Sequence, residues 1–231
     1  MKICALSDLH GFLIDDIEEC DLVLICGDSV ALTHQRGFTK AFKWYKNKFK
    51  PWAESLPCKK VLFIAGNHDP LEGHEDKMRE LFPRTDKVTY LCHELYEYEG
   101  LKIFGTPYCH QFGNWPFMHD DETLDKYFSE IPENIDILLT HDVPYDMSDV
   151  LLQQTEWSTS KHIGSIPLRK AIDRVLPSLH FSGHLHSCDH ALIPFTINGK
   201  IIQHANVSIV DEYYNPIYQP LYYQSLYGKN L

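Results

Sequence analysis

No stretch of this sequence approaches the roughly 18–20 consecutive apolar residues that a membrane-spanning helix needs, so no membrane role is expected. The first six residues start like a signal peptide, but Asp8 and His10 arrive before an apolar region of about 7–15 residues is complete. Paired cysteines are missing as well: the seven cysteines are odd in number and none is spaced CxxC. That argues against a disulfide framework and reads as free thiols in a reducing compartment, hence a cytoplasmic protein. Glycine (12) and proline (13) together stay near the ordinary share of about 12%. With no repeat, low-complexity tract or Pro/Gly/Ser-rich linker either, disordered and fibrous classes fall away. Positive charge is short: 21 Lys and Arg stand against 32 Asp and Glu, for a formal net charge of −11. Nucleic-acid binders gain affinity by neutralising phosphates with Lys and Arg, so stable nucleic-acid binding is not expected. An acidic enzyme that accepts an anionic substrate needs a local source of positive charge, and fourteen histidines point to bound metal as that source.

What remains is a chain of 231 residues, read as a single domain over 1–231. At this size a fold buries about 70–75% of the surface its unfolded chain exposes. Short apolar runs at 2–7, 21–26, 60–65, 135–139 and 179–181 read as buried strands. Residues 38–54 place Ala41, Phe42, Tyr45, Phe49 and Trp52 at helical spacing and predict one helix. Shorter helices are expected at 74–82 and 122–128, and another at 165–176, where Ser165 and Pro167 form a starting signal and Pro177 a stop. Further strands are expected at 88–91, 95–98 and 101–104, and a hairpin over 191–204 turns on Asn198-Gly199. Helices alternate with strands early and hairpins gather late, which predicts an α/β fold with mixed sheets.

The five buried strands end on one chemical theme: Asp8-x-His10, Gly27-Asp28, Gly66-Asn67-His68-Asp69, His141, and Gly183-His184-x-His186. Ligands of α/β sheets gather beyond the carboxyl ends of strands. Oxygen and nitrogen donors suit borderline to hard divalent ions and disfavour a thiolate site. In extended chain, residues i and i+2 point the same way, so Asp8 with His10, and His184 with His186, could each present two ligands to one cavity. A carboxylate such as Asp28 can bridge two cations.

In content and order these blocks resemble the calcineurin-like metallophosphoesterase pattern DxH…GD…GNH[DE]…H…GHxH, and the likeness extends to its small stand-alone class III phosphodiesterases. The resemblance implies a four-layer αββα sandwich of two mixed β-sheets flanked by helices. It implies one metal on Asp8, His10, Asp28 and His186, and a second on Asp28, Asn67, His141 and His184, with Asp28 bridging. The ions would be two divalent metals from among Mn, Fe, Zn, Ni and Co. It also implies that His68 is the free histidine near the leaving group, with Asp69 behind it orienting the imidazole. Asn67, His68 and His110 are the candidate substrate contacts.

The expected reaction is hydrolysis of a small phosphodiester by in-line attack of a metal-bound hydroxide. Two alternatives stay open: a phosphomonoesterase acting on phosphoproteins or metabolites, and a non-catalytic interaction protein on the same fold. Nothing in the sequence defines the oligomeric state. His34, His74, His93 and His190 are read as turn or surface residues, Cys4, Cys26 and Cys188 as small buried hydrophobes, and Asp142 as a structural carboxylate. His110, Asn114 and Trp115 in the long loop 108–121 are candidates to shape a pocket. The tyrosine-rich tail (Tyr213, Tyr214, Tyr218, Tyr222, Tyr223 and Tyr227) is read as sheet packing.

Overall fold

The computed structural model describes residues 1–151 and 162–224; Tyr227 lies outside the described residues. The elements run β1 (Lys2–Leu6), β2 (Cys20–Cys26), α1 (Phe38–Trp44), α2 (Lys50–Ser55), β3 (Cys58–Ile64), α3 (Glu75–Leu81), β4 (Val88–Tyr90), β5 (Glu94–Tyr98) and β6 (Leu101–Thr106). There follow β7 (Cys109–His110), β8 (Met118–His119), α4 (Asp121–Ser129), β9 (Ile137–Thr140), α5 (Ile166–Val175), β10 (Leu179–Ser182), β11 (Ile193–Ile197), β12 (Lys200–Asn206) and β13 (Leu221–Gln224).

One sheet has the order β13-β1-β2-β3-β4 and the other β11-β12-β10-β9-β6-β5. Both are mixed. β1 to β4 pair in parallel while β13 joins β1 antiparallel. In the second sheet, β12, β10, β9 and β6 pair in parallel between the antiparallel outer strands β11 and β5.

Alternation along the strands builds three apolar interfaces and therefore four layers. Ile3, Ala5, Leu22, Leu24, Leu62 and Ile64 of the first sheet face Ile137, Leu139, Leu179 and Phe181 of the second. The other side of the first sheet, with Cys4, Leu6, Val23, Ile25, Val61 and Phe63, packs against Trp44, Tyr45, Phe49 and Trp52. The outer side of the second sheet, with Phe104, Leu138 and Ile202, packs against Leu124 and Phe128 of α4 and Leu168 and Ile172 of α5. Strands buried on both faces explain why the sequence shows continuous apolar runs.

The single helix expected over 38–54 is interrupted: α1 and α2 are separated by a π-helical turn over Tyr45–Phe49. Pro51, in the first turn of α2, has no N–H to donate four residues back, and its ring crowds the Asn47 carbonyl. The wider turn relieves both and keeps Tyr45, Phe49 and Trp52 on the sheet. The start of α5 follows the sequence: the Ser165 side chain accepts from Leu168 N at 3.2 Å, and the helix stops at Leu176, whose φ is +51°.

Candidate metal centre

Because β1, β2 and β3 are parallel within one sheet, and β9 and β10 within the other, their carboxyl ends bring five loops together between the sheets. Backbone bonds lace the loops: Asp8 N to Gly27 O at 3.0 Å, His10 N to Asp28 O at 2.9 Å, and Gly183 N to His141 O at 3.1 Å. Asp8, His10, Asp28 and His184 all have positive φ (56°, 41°, 49° and 69°), at a cost of about 1–3 kcal/mol each for non-glycine residues. The lacing holds them there. Gly27 is required: its φ is +101°, and a Cβ would lie 2.5 Å from His141 Nδ1 and 2.9 Å from Ala65 O.

The side chains form a compact set of oxygen and nitrogen donors. Asp8 Oδ1 lies 3.1 Å from His186 Nε2, and Asp28 Oδ2 lies 3.2 Å from His141 Nε2. His10 Nε2 stands 3.9 Å from both Asp8 Oδ1 and Asp28 Oδ2. His141 Nε2 is also 3.0 Å from Asn67 Oδ1, while its Nδ1 donates to the Cys26 carbonyl at 2.8 Å. That second bond fixes the ring and turns Nε2 toward the two oxygens. Three triads lie close enough to share an ion: Asp8–His10–His186, Asp8–Asp28–His141 and His10–Asp28–His68.

The electrostatics favour cations. Burial opposes charge on Asp8 and Asp28, yet His186 beside the first and His141 beside the second hold both carboxyls below the usual range. Burial also opposes charge on His141, but Asp28 outweighs it and raises that imidazole to about 10. A proton at His141 Nε2 and a cation beside it are two ways to satisfy the same oxygens. Burial pushes His10 down to about 4 and, with His141, pushes His184 to about 3. Both ring nitrogens of His10 are buried and without a hydrogen-bond partner. Such orphaned groups are costly, and a divalent ion against Nε2 and the two flanking carboxylates would satisfy that nitrogen. The residues therefore fit a metal.

Residues 1–188 match the family model described as calcineurin-like phosphoesterase. The chain belongs to that family. Among its relatives, "UPF0046 protein C25E10.12" of Caenorhabditis elegans is 30% identical over 190 residues, which is 75% of this chain and 64% of that protein. Human "Metallophosphoesterase domain-containing protein 1" is 27% identical over 197 residues, covering 75% of this chain and 57% of that one. The chain thus matches less than two thirds of these relatives' length. One solved structure superposes with a TM-score of 0.60 at 13% identity, covering 89% of each chain; it shares the fold.

Within this calcineurin-like frame, the side chains of Asp8, His10, Asp28, Asn67, His141 and His186 lie close to one another. His184 sits at the margin. Its backbone N donates to Asp8 Oδ2 at 3.0 Å, its ring centroid is 5.0 Å from that of His141, and it belongs to none of the three triads among the described residues. The expected contact between Asp69 and His68 is corrected. The Asp69 carboxylate accepts from the backbone N–H groups of Val30 and Gly66 at 2.9 Å and of Ser29 at 3.3 Å. It therefore ties the Asp28 loop to the Asn67 loop, and burial followed by the charge of Asp28 raises its carboxyl to about 6. The partner of His68 Nδ1 is the side-chain oxygen of Gln35.

His110 is anchored by Asp142, which accepts from its N at 2.8 Å and its Nδ1 at 2.9 Å; its ring centroid stands 6.1 Å from that of His184. Asp142 thus has an anchoring role. Trp115 lies 4.6 Å from the His68 ring with the Arg36 guanidinium 4.1 Å above its own ring, while Asn114 is exposed. The reading of the tyrosine tail divides. Tyr222 and Tyr223 join the sheet in β13, but Tyr214 sits at the site, 4.8 Å from the His10 ring and 5.3 Å from that of His186. Gln35, Arg36 and Tyr214 carry no spacing signal, and only folding brings them here.

Proposed function

We propose that this chain is a dinuclear metal-dependent phosphoesterase that hydrolyses small phosphodiesters. The observation that carries the reading is the buried, unpartnered His10 imidazole between the carboxylates of Asp8 and Asp28. Asp8, His10, Asp28 and His186 would hold one ion; Asp28, Asn67 and His141, with His184 beside them, would hold the other. Two dications held there would supply Lewis acidity to a phosphate ester. In an acidic chain they would also supply the local positive charge that an anionic substrate requires.

The chain's own groups do the rest. His68 N donates to Asp28 Oδ1 at 2.7 Å, which ties the histidine's backbone to the Asp28 carboxylate. With Nδ1–H held by Gln35, Nε2 is the nitrogen left to carry a proton to a departing alkoxide. Gln35 and Asp69 are positioning residues: the first orients the imidazole, the second holds the two loops. Trp115 and Tyr214 wall the approach to His68 with aromatic surface that a bulky ester arm can pack against. That aromatic surface beside His68 supports an ester with an organic arm on that side. Seven free thiols support a reducing, cytoplasmic setting.

A panel of alkyl and aryl mono- and diesters, measured with Mn²⁺, Zn²⁺, Ni²⁺, Co²⁺ and Fe²⁺, tests the proposal. We expect kcat/KM for diesters to exceed that for matched monoesters by at least ~10-fold, a difference of ~1.4 kcal/mol in transition-state stabilisation. Equal or better turnover of monoesters overturns the diester assignment. No turnover of any ester by protein carrying two metals overturns the phosphoesterase assignment itself.

A further inference from the structure

At the ends of the strands remote from the metal centre, two cysteines stand side by side. Cys20 opens β2, Cys58 opens β3, and the two are direct partners in the parallel register. Directly paired residues of neighbouring strands point to the same face, about 4.7–4.9 Å apart. That lies inside the Cα separation of about 4.4–6.8 Å that a disulfide spans. Both thiols line a cavity of about 590 Å³ with Lys2, Asp21, Pro57 and Lys59. The neighbouring Cys58 thiol, helped by the Lys2 charge and opposed by burial, lowers the Cys20 thiol; the Cys20 thiol and burial raise Cys58. Burial raises the other buried thiols Cys4, Cys26, Cys92, Cys109 and Cys188.

We propose that Cys20 and Cys58 form a dithiol modification site that hydrogen peroxide oxidises to a reversible intramolecular disulfide. The Cys20 thiolate attacks one peroxide oxygen, the O–O bond breaks, and the departing hydroxide takes up a proton to become water. Cys20 is then a sulfenic acid. The Cys58 thiol gives up its proton and its sulfur attacks the Cys20 sulfur. The S–O bond breaks, and a second water leaves. Two thiols lose two electrons and one peroxide gains them. A dithiol reductant reverses the bridge by exchange. Six strand steps carry β2 from Cys20 to Cys26, roughly 20 Å at strand rise, and Asp28 lies beyond them, so the bridge clamps the far end of the sheet and leaves the metal-binding loops free. This site is independent of the phosphoesterase reading.

The full-length chain is treated with stoichiometric hydrogen peroxide and then digested without reduction for mass spectrometry. Two of the seven thiols should disappear together, in one cross-linked peptide pair containing Cys20 and Cys58, and dithiothreitol should restore both. Cys20 should react at least ~10-fold faster than Cys26, Cys109 or Cys188, as thiolate fraction controls the rate. In Cys58→Ser, Cys20 should stop at the sulfenic acid and be trapped by dimedone. The disulfide should also raise the thermal unfolding midpoint, because it closes a long loop in the unfolded chain. A bridge between Cys20 and Cys4, a scattered loss of thiols, or no Cys20 adduct in Cys58→Ser overturns the proposal.

Discussion

Two histidines under the outer helical layer make the protein acid-labile in a predictable window. His180 and His204 are completely buried, with their Nδ1 atoms 2.9 Å apart. Thr140 Oγ1 donates to the Asp142 carbonyl at 2.6 Å and so accepts from His180 Nε2 at 2.9 Å. His180 therefore carries its proton on Nε2 and offers Nδ1 to the Nδ1–H of His204. His204 Nε2 is left buried without a partner. A further proton must go there or break the pair. Burial pushes His204 down to about 4 and lowers His180 strongly, with His204 adding to the shift. In the unfolded chain histidine takes up its proton near pH 6.5. Stability from the neutral pair is thus complete above about pH 6.5 and declines as pH falls toward 4, because the unfolded state binds protons that the folded state refuses. For His204 alone the loss is about 2 kcal/mol at pH 5. Urea unfolding at pH 7.5 and pH 5, with chelator present so that metal release does not contribute, measures it. His204→Asn places an amide N–H where Nδ1–H stood but cannot titrate. That variant should be less stable at pH 7.5, yet its loss between pH 7.5 and 5 should be smaller than the wild type's by about 2 kcal/mol. An undiminished pH dependence in His204→Asn refutes the reasoning.

Three further outcomes follow from the site. Asp28→Asn should lower both metal content and kcat by more than any other single ligand change, at least ~100-fold in rate, because Asp28 meets His10, His141 and His68 at once; two retained metals with near-normal turnover would show that it does not bridge. His68→Ala should slow an alkyl diester by about 10²–10⁴-fold but an aryl diester, whose leaving group departs without a proton, by much less, with metal content unchanged. Equal losses on both substrates would make His68 a phosphate-positioning group. Chelation should abolish activity and added Mn²⁺ restore it, while far-UV circular dichroism changes little, since the three apolar interfaces do not include the ligands; global unfolding on chelation would show that the metals hold the fold.

Much of this molecule was legible in the sequence because it is written locally. Buried strands are apolar runs, α5 is announced by Ser165 and Pro167, and ligand types sit where parallel strands must end. The blocks at Asp8, Asp28, Asn67, His141 and His186 converge because parallel pairing aligns strand ends, a consequence of topology that alternating helices and strands already imply. What the sequence left open depends on contacts with no local mark. Pro51 widens the first long helix only because the sheet must still receive Tyr45 and Phe49 together. Asp69 follows His68 in the chain, but its carboxylate turns to backbone amides of its own Gly66 and of Val30 in a different loop, and Gln35 takes the imidazole instead. Tyr214 reaches His10 across 204 residues of chain, and Cys20 meets Cys58 only through strand register. Residue type and spacing determined which chemistry the chain can hold. Packing decided which side chain stands beside which, because a hydrogen bond or a ring contact is a matter of ångströms that a linear pattern does not encode.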